Sequence, residues 1–188
     1  MSTLPVVAVV GRPNVGKSTL VNRVVGSRSA VVEETSGVTR DRRQFDADWA
    51  GRHFILVDTG GWEVKPDGDL NRSIRQQAEG AVSGADVVIL VVDGTTMLSD
   101  DDTGVISILR AADVPVVVAV NKMDSAQQEW EADEFWKLGL GEPMPVSAYH
   151  GRGVGDLLDA MVASFPEPEE PPPTTELARI AIVGRPNT

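Results

Sequence analysis

An apolar strand that runs into a glycine-rich loop constrains this 188-residue chain more than any other feature. The run Val6–Val10 leads into Gly-Arg-Pro-Asn-Val-Gly-Lys-Ser at positions 11–18, which has the spacing GxxxxGKS. In such a loop the glycines let backbone N–H groups converge on phosphates at a helix N-terminus, and the lysine and serine serve the phosphates and Mg²⁺. We therefore predict a nucleotide site whose phosphate-loop residues are Gly11, Arg12, Pro13, Asn14, Val15, Gly16, Lys17, Ser18 and Thr19.

The same strand and the same Gly-Arg-Pro-Asn recur at positions 180–187, at an offset of 173 residues. That offset is the length of one domain, which indicates two similar domains in series and not a solenoid. Pro166–Glu176 contains five Pro and four Glu in eleven residues, a composition that predicts a stiff, extended linker. We expect a first domain over 1–165, a linker over 166–176 and the truncated start of a second domain over 177–188.

Composition narrows the cellular setting. The chain contains no Cys, which excludes disulfides and thiolate metal sites and suits a reducing cytosol. Its N-terminal apolar run is too short for a signal peptide or a membrane span. The net charge is -11, so the composition does not provide the excess of basic residues that binding to a nucleic-acid phosphate backbone requires. We expect a cytoplasmic protein without membrane contact, whose RNA contact through this part alone is not strong.

Apolar runs alternate with amphipathic stretches, which predicts an α/β fold with a mostly parallel sheet. The predicted strands are Leu4–Val10, Gln44–Ala50, His53–Asp58, Asp86–Asp93, Val114–Val120 and Pro143–Val146. The predicted helices are Lys17–Val25, Asn71–Ala81, Ser99–Ala112, Ala126–Leu138 and Gly153–Ser164.

One predicted strand differs from the others. In Gln44–Ala50, aromatic and small residues alternate with aspartates, and Gly51-Arg52 makes a tight connection to the next strand. This pattern predicts an antiparallel edge strand. The whole pattern favours a six-stranded sheet with helices on both faces.

A second motif, Asn121-Lys122-Met123-Asp124, follows a buried strand and indicates which base is bound. The Asp124 carboxylate can accept hydrogen bonds from N1–H and the 2-amino group of guanine, whereas adenine offers neither donor. Small residues after the last strand let backbone N–H groups approach the guanine carbonyl. The predicted base-site residues are Asn121, Lys122, Met123, Asp124, Ser147 and Ala148.

A third motif lies at the end of the strand His53–Asp58. Asp58 suits the Mg²⁺ shell, and Gly61 can present its N–H to a γ-phosphate. Thr39 is the hydroxyl that we expect to close on Mg²⁺ and the γ-phosphate. The predicted metal residues are thus Ser18, Thr39 and Asp58, and the nucleotide residues of this motif are Asp58, Thr59, Gly60, Gly61 and Trp62.

These elements, in this order, resemble the translation-factor-related GTPases, which have a Ras-like P-loop domain. Finer matches resemble the Der (EngA) family, and they fall at Gly11–Ser18, Gly37–Asp41, Asp58–Trp62, Leu138–Pro143 and Ser147–Asp159. The resemblance implies two GTPase domains, a C-terminal KH-like domain and a role in assembly of the bacterial large ribosomal subunit, with its rRNA and proteins as partners of the full-length protein. The recurrence at Gly184 distinguishes the chain from the single-domain relatives Era and MnmE.

The residue after the third motif bears on mechanism. Ras-like enzymes place a Gln there that orients the attacking water, but this chain has Trp62. The resemblance implies a different device: related GTPases with an Asn in the phosphate loop hold K⁺ where an arginine finger would lie, and Asn14 matches that Asn. The predicted catalytic residues are Lys17, Thr39, Gly61 and Asn14.

Two functions remain open at this stage. The first is a slow GTP-hydrolysing switch, in which loops held by Thr39 and Gly61 are released on hydrolysis. The second is a ribosome-docking module that holds GTP or GDP with negligible turnover in isolation. A kinase is a distant third, because no acceptor site is recognisable.

Overall fold

Strands and helices alternate along the described part of the chain, which comprises residues 4–26, 43–59, 70–125 and 128–167 of a computed structural model. The strands are β1 (Val6–Val10), β2 (Arg43–Trp49), β3 (Arg52–Asp58), β4 (Val87–Asp93), β5 (Val116–Asn121) and β6 (Pro143–Pro145). The helices are α1 (Lys17–Val25), α2 (Leu70–Val82), α3 (Asp100–Ala111), a 3₁₀ helix (Gln128–Leu138) and α4 (Val154–Ala163). Every predicted strand and helix is present, which confirms the alternating α/β pattern.

The strands form one sheet in the order β2-β3-β1-β4-β5-β6. All neighbouring pairs are parallel except β2 and β3, so the predicted antiparallel edge strand is confirmed. Ala50 and Gly51 connect β2 to β3 with φ values of 51° and 76°. Two successive residues with positive φ are typical of a type I′ turn, whose twist matches that of the flanking strands.

Apolar cores cover both faces of the sheet. On one face, Val7 and Val9 of β1 pack with α1 and α4. On the other, Ala8 and Val10 of the same strand pack with α2, α3 and the 3₁₀ helix. Because successive side chains of a strand point to opposite faces, a strand covered on both sides must be apolar throughout. This explains the nearly unbroken valine runs of β1, β4 and β5.

The predicted helix over Ala126–Leu138 has a different type, since the described residues form a 3₁₀ helix from Gln128. Ala132, Phe135 and Leu138 are buried, whereas the residues between them are exposed. A spacing of three places side chains on one line in a 3₁₀ helix, which has three residues per turn. The apolar spacing therefore suits the observed geometry.

No helix within the described ranges is both long and apolar enough to span a membrane. Of the predicted linker, the structure describes only Pro166 and Glu167, which form no helix or strand. The remainder of the linker and the second copy of the strand and loop lie outside the described residues.

Candidate nucleotide-binding site

The buried polar side chains in the described part of the chain share one edge of the sheet. They lie at the carboxyl ends of strands, in the loops that follow or in the first turn of the next helix, and they are Lys17, Asp58, Thr59, Asp93, Asp102, Asn121 and Ser147. β1 lies between β3 and β4: the next two strands of the chain, β2 and β3, lie on one side of it, and β4, β5 and β6 lie on the other. Ligands of open α/β sheets bind in the crevice at such a switch point. The candidate site is therefore this carboxyl edge.

The phosphate loop after β1 needs glycine at two positions. A Cβ at Gly11, which has φ 147°, would lie 2.3 Å from the carbonyl oxygen of Val91. A Cβ at Gly16, which has φ 99°, would lie 2.3 Å from Nδ2 of Asn121. Both separations are far below contact distance, and both φ values disfavour residues with a side chain. The loop can therefore pack against β4 and β5 only with these glycines.

Lys17 lies within the curl of this loop. Its ammonium donates to the carbonyl oxygens of Gly11 at 2.8 Å and Arg12 at 2.9 Å. Burial lowers the pKa of Lys17; the nearby Asp58 carboxylate opposes this shift and the Arg12 guanidinium adds to it. The buried Lys17 ammonium therefore lies at the start of α1, where the helix dipole is also positive. Both features favour an anion bound beside the loop.

Asn121 joins the phosphate loop to the loop after β6. Its Nδ2 donates to the carbonyl of Val15 at 2.8 Å, and its Oδ1 accepts from the backbone N–H of Ala148 at 2.9 Å. Its side chain is therefore occupied by these two loops. The Ala148 N–H, which we predicted to approach a guanine carbonyl, is bonded to Asn121 in this structure.

Asp124 and Ser147, which we predicted separately as base-site residues, are joined by a hydrogen bond. The Ser147 hydroxyl donates to Oδ1 of Asp124 at 2.6 Å and accepts from the backbone N–H of His150 at 3.1 Å. Ser147 is buried and Asp124 is exposed. A buried hydroxyl therefore holds an exposed carboxylate, which is the arrangement that a reader of base N–H groups needs.

Arg23 was not predicted, yet it fixes the same loop from α1. Its Nε donates to the carbonyl of Ala148 at 3.1 Å, and its Nη2 donates to the carbonyl of Tyr149. A cleft of about 390 Å³ lies beside it, lined by Thr19, Asn22, Arg23, Gly26, Ala148 and Tyr149. The cleft joins predicted phosphate-loop and base-site residues on one surface.

Two of the side chains predicted to bind Mg²⁺ through oxygen lie at this edge. Asp58 is buried at the end of β3 and pairs in register with Val9 of β1, whereas Ser18 is exposed in the first turn of α1. A carboxylate and a hydroxyl are the hard ligands that Mg²⁺ prefers, so these residues fit the ion. The hydroxyl of Thr59 instead donates to the carbonyl of Val9 at 2.6 Å. The predicted Thr39, Gly60, Gly61 and Trp62 lie outside the described residues.

Three motif residues direct their side chains elsewhere. Val15 and Met123 are buried in the core, so they can reach a ligand only through their backbone. Arg12 extends to the start of α3, where its Nε lies 3.1 Å from Oδ2 of Asp102 and its Nη2 donates to the hydroxyl of Thr96 at 2.7 Å. The Arg12 side chain therefore anchors the loop to the fold. Pro13 and Asn14 are exposed, and Asn14 has a positive φ of 65°.

Asp93, a second residue that was not predicted, pairs with the base motif. Lys122 Nζ lies 2.6 Å from Oδ2 of Asp93. Burial acts to raise the pKa of Asp93, but hydrogen bonds from Lys122 and Thr95 outweigh burial and lower it. The sequence did contain a signal for Asp93: like Asp58, it is an acidic residue at the end of a buried strand.

Comparisons with known proteins agree with this geometry. Residues 6–122 match the family described as 50S ribosome-binding GTPase. The chain is 55% identical over 185 residues to GTPase Der of Bifidobacterium longum and 53% identical over 187 residues to GTPase Der of Streptomyces coelicolor. These alignments cover 97% and 98% of the chain but 40% of each relative, so the chain spans about two-fifths of their length.

The solved structure of Era in complex with MgGDPNP and nucleotides 1506–1542 of 16S ribosomal RNA is similar in fold. It superposes with a TM-score of 0.70 at 30% identity, over 92% of this chain and 60% of that one. The sequence relatives and the structural neighbour thus agree with the family model. The chain belongs to the 50S ribosome-binding GTPase family, among the Der proteins.

Proposed function

We propose that this chain is a guanine-nucleotide switch domain that binds GTP and GDP and hydrolyses GTP slowly. The observation that carries the proposal is the position of Asn121, whose side chain bonds the phosphate loop on one side and the loop of Ser147 and Ala148 on the other. A phosphate-binding segment and a base-reading segment are thereby held at a fixed separation. A site of this kind selects a ligand that carries both a phosphate and a base.

Each half of the site contributes different chemistry. The curled backbone, the dipole of α1 and the Lys17 ammonium favour the phosphates. The Asp124 carboxylate favours guanine, because guanine offers it N1–H and 2-amino donors that adenine lacks. Hydrolysis needs charge stabilisation where the bond between the β and γ phosphates breaks, and Lys17 lies in the loop that surrounds that position.

Ser18, Asp58 and Thr39 are the residues that would hold Mg²⁺. When bound, this ion neutralises charge on the β and γ phosphates. The Gly61 N–H would donate to the γ-phosphate, and Trp62 leaves the attacking water without the Gln of Ras-like enzymes. We infer that Asn14, exposed at the tip of the loop, binds K⁺ and that hydrolysis depends on this ion.

At the level of the whole protein, we infer a role in assembly of the large ribosomal subunit. The family description names the 50S particle, and the similar Era was solved with 16S ribosomal RNA. The net charge of -11 argues that this chain is not itself the main RNA contact. In this proposal the linker over 166–176 joins two GTPase domains, and the rest of the protein supplies the rRNA and ribosomal-protein contacts.

Phosphate release from GTP tests the catalytic proposal. With Mg²⁺ present, we expect slow turnover that is faster in K⁺ than in Na⁺ at equal ionic strength, and no turnover of ATP. Asn14→Ala should abolish the difference between the two ions while nucleotide affinity is largely kept. Trp62→Ala is the matched control and should keep the ion difference and a single-turnover rate within about tenfold of the wild type.

Two results would count against parts of this account. Tight GTP binding without measurable turnover would favour the alternative, a GTP- or GDP-dependent ribosome-docking module that does not hydrolyse GTP in isolation. Unchanged K⁺ stimulation in Asn14→Ala, with a large ion-independent loss in Trp62→Ala, would reverse the roles of these two residues.

A further inference from the structure

Asp93 ends β4 at the carboxyl edge of the sheet and belongs to none of the predicted nucleotide motifs. Its side chain is only 5% exposed, whereas that of its partner Lys122 is 40% exposed. We propose that Asp93 is a positioning residue for guanine recognition, which holds Lys122 and thereby the turn that presents Asp124. This inference rests on the nucleotide function proposed above.

The two oxygens of Asp93 have separate partners. Oδ1 accepts from the backbone N–H of Thr95 at 3.0 Å and from its hydroxyl at 2.7 Å, which fixes the turn after β4. Oδ2 accepts from the ammonium of Lys122 at 2.6 Å. Because an Asn side chain keeps one carbonyl oxygen and replaces the other oxygen with a donor, one substitution can separate the two roles.

The turn that Lys122 occupies is conformationally demanding. Lys122 has φ 70°, in the left-handed region that residues with a Cβ seldom adopt. It lies between Asn121, which bonds the phosphate loop, and the segment leading to Asp124, which accepts from Ser147. Asp93 and Asn121 are also partners in the register of β4 and β5. A tether from Asp93 to the Lys122 side chain therefore favours the backbone conformation that sets the direction of Asp124.

A second cation reaches the same carboxylate from the phosphate loop. Nη2 of Arg12 lies 3.8 Å from Oδ2 of Asp93, while its Nε lies 3.1 Å from Oδ2 of the buried Asp102. Asp102 also accepts from the backbone N–H of Ser99 at 2.9 Å, in the capping box of α3. Two buried carboxylates thus balance two cations. Since Arg12 belongs to the phosphate loop and Lys122 to the base motif, Asp93 is shared between both halves of the site.

Calorimetric titration of Asp93→Asn with GDP, GTP and inosine diphosphate tests this assignment. Inosine diphosphate lacks the 2-amino group, so the ratio of its affinity to that of GDP reports how well Asp124 is placed. We expect GDP and GTP to weaken by the same factor, about tenfold, because the hydrogen bond to Lys122 supports recognition of the base, which both nucleotides share. We also expect the preference for GDP over inosine diphosphate to narrow. Lys122→Met, which changes a partly exposed side chain, should reproduce both effects.

Asp100→Asn is the charge-matched control, since it removes an exposed acid from the first turn of α3 and should leave both affinities unchanged. In the Lys122→Met background, Asp93→Asn should add less than about twofold. A full additional loss there, or an unchanged preference for GDP in both single variants, would assign Asp93 to support of the β4 turn alone and overturn the inference. Failure of the wild type to bind GDP would instead overturn the nucleotide site, and this inference with it.

Discussion

Asp124→Asn is expected to weaken GTP binding at least a hundredfold and to favour xanthosine triphosphate. The carboxylate at this position can accept from both N1–H and the 2-amino group of guanine, and an amide cannot accept both. Its NH₂ can instead donate to the 2-oxo group of xanthine. Because Ser147 donates to Oδ1 of Asp124, the amide oxygen can keep that bond and the side chain should keep its place. Competition of the two nucleotides for the variant would measure the change.

Asp133→Asn is the control for this change, because it removes an exposed acid of the 3₁₀ helix, on a part of the surface that no proposed contact uses. It should bind GTP as the wild type does. Equal GTP affinity in Asp124→Asn and the wild type would show that another residue reads the base.

Lys17→Ala is expected to lower the turnover of GTP at least a hundredfold. Removing a group that stabilises transition-state charge typically has an effect of this size, and Lys17 is the buried cation of the phosphate loop. Its ammonium also bonds the carbonyls of Gly11 and Arg12, so affinity should fall as well. Single-turnover measurements at saturating nucleotide would separate the two effects.

Lys137→Ala supplies the matched control, since it removes an exposed lysine at the end of the 3₁₀ helix. The thermal midpoint of Lys17→Ala, measured without nucleotide, would establish that the variant folds. Wild-type turnover in a folded Lys17→Ala protein would exclude Lys17 from the chemistry.

The sheet could be predicted from sequence because its signals are local. Strands covered on both faces are apolar throughout, as in β4. In β2, apolar residues alternate with polar ones, which indicates an edge strand. The turn at Ala50 and Gly51 fixes the antiparallel pairing of β2 with β3. The common location of the motifs could also be predicted, because each follows a parallel strand and the carboxyl ends of parallel strands share one edge of the sheet.

The contacts missed by sequence reasoning join residues that are distant in the chain. Arg23 reaches the carbonyl of Ala148, 125 positions away, and Arg12 reaches Asp102, 90 positions away. Long cationic side chains of this kind are usually solvated, so no local pattern distinguishes the few that clamp a loop. Only the packing of α1 and α3 against the sheet brings these partners together. The 3₁₀ geometry of Gln128–Leu138 was also missed. Apolar residues spaced three apart fit one face of an α-helix as well, so their spacing does not distinguish the two helix types.

The central claim, that the carboxyl edge of this sheet is a guanine-nucleotide site, is tested most directly by comparing GDP and ADP. Fluorescent GDP bound to the wild-type chain in the presence of Mg²⁺ would be displaced by unlabelled GDP or ADP. The account predicts that GDP binds at least a thousandfold more tightly, because adenine offers Asp124 neither an N1–H nor a 2-amino group in place of those of guanine. Equal displacement by the two nucleotides would contradict the account.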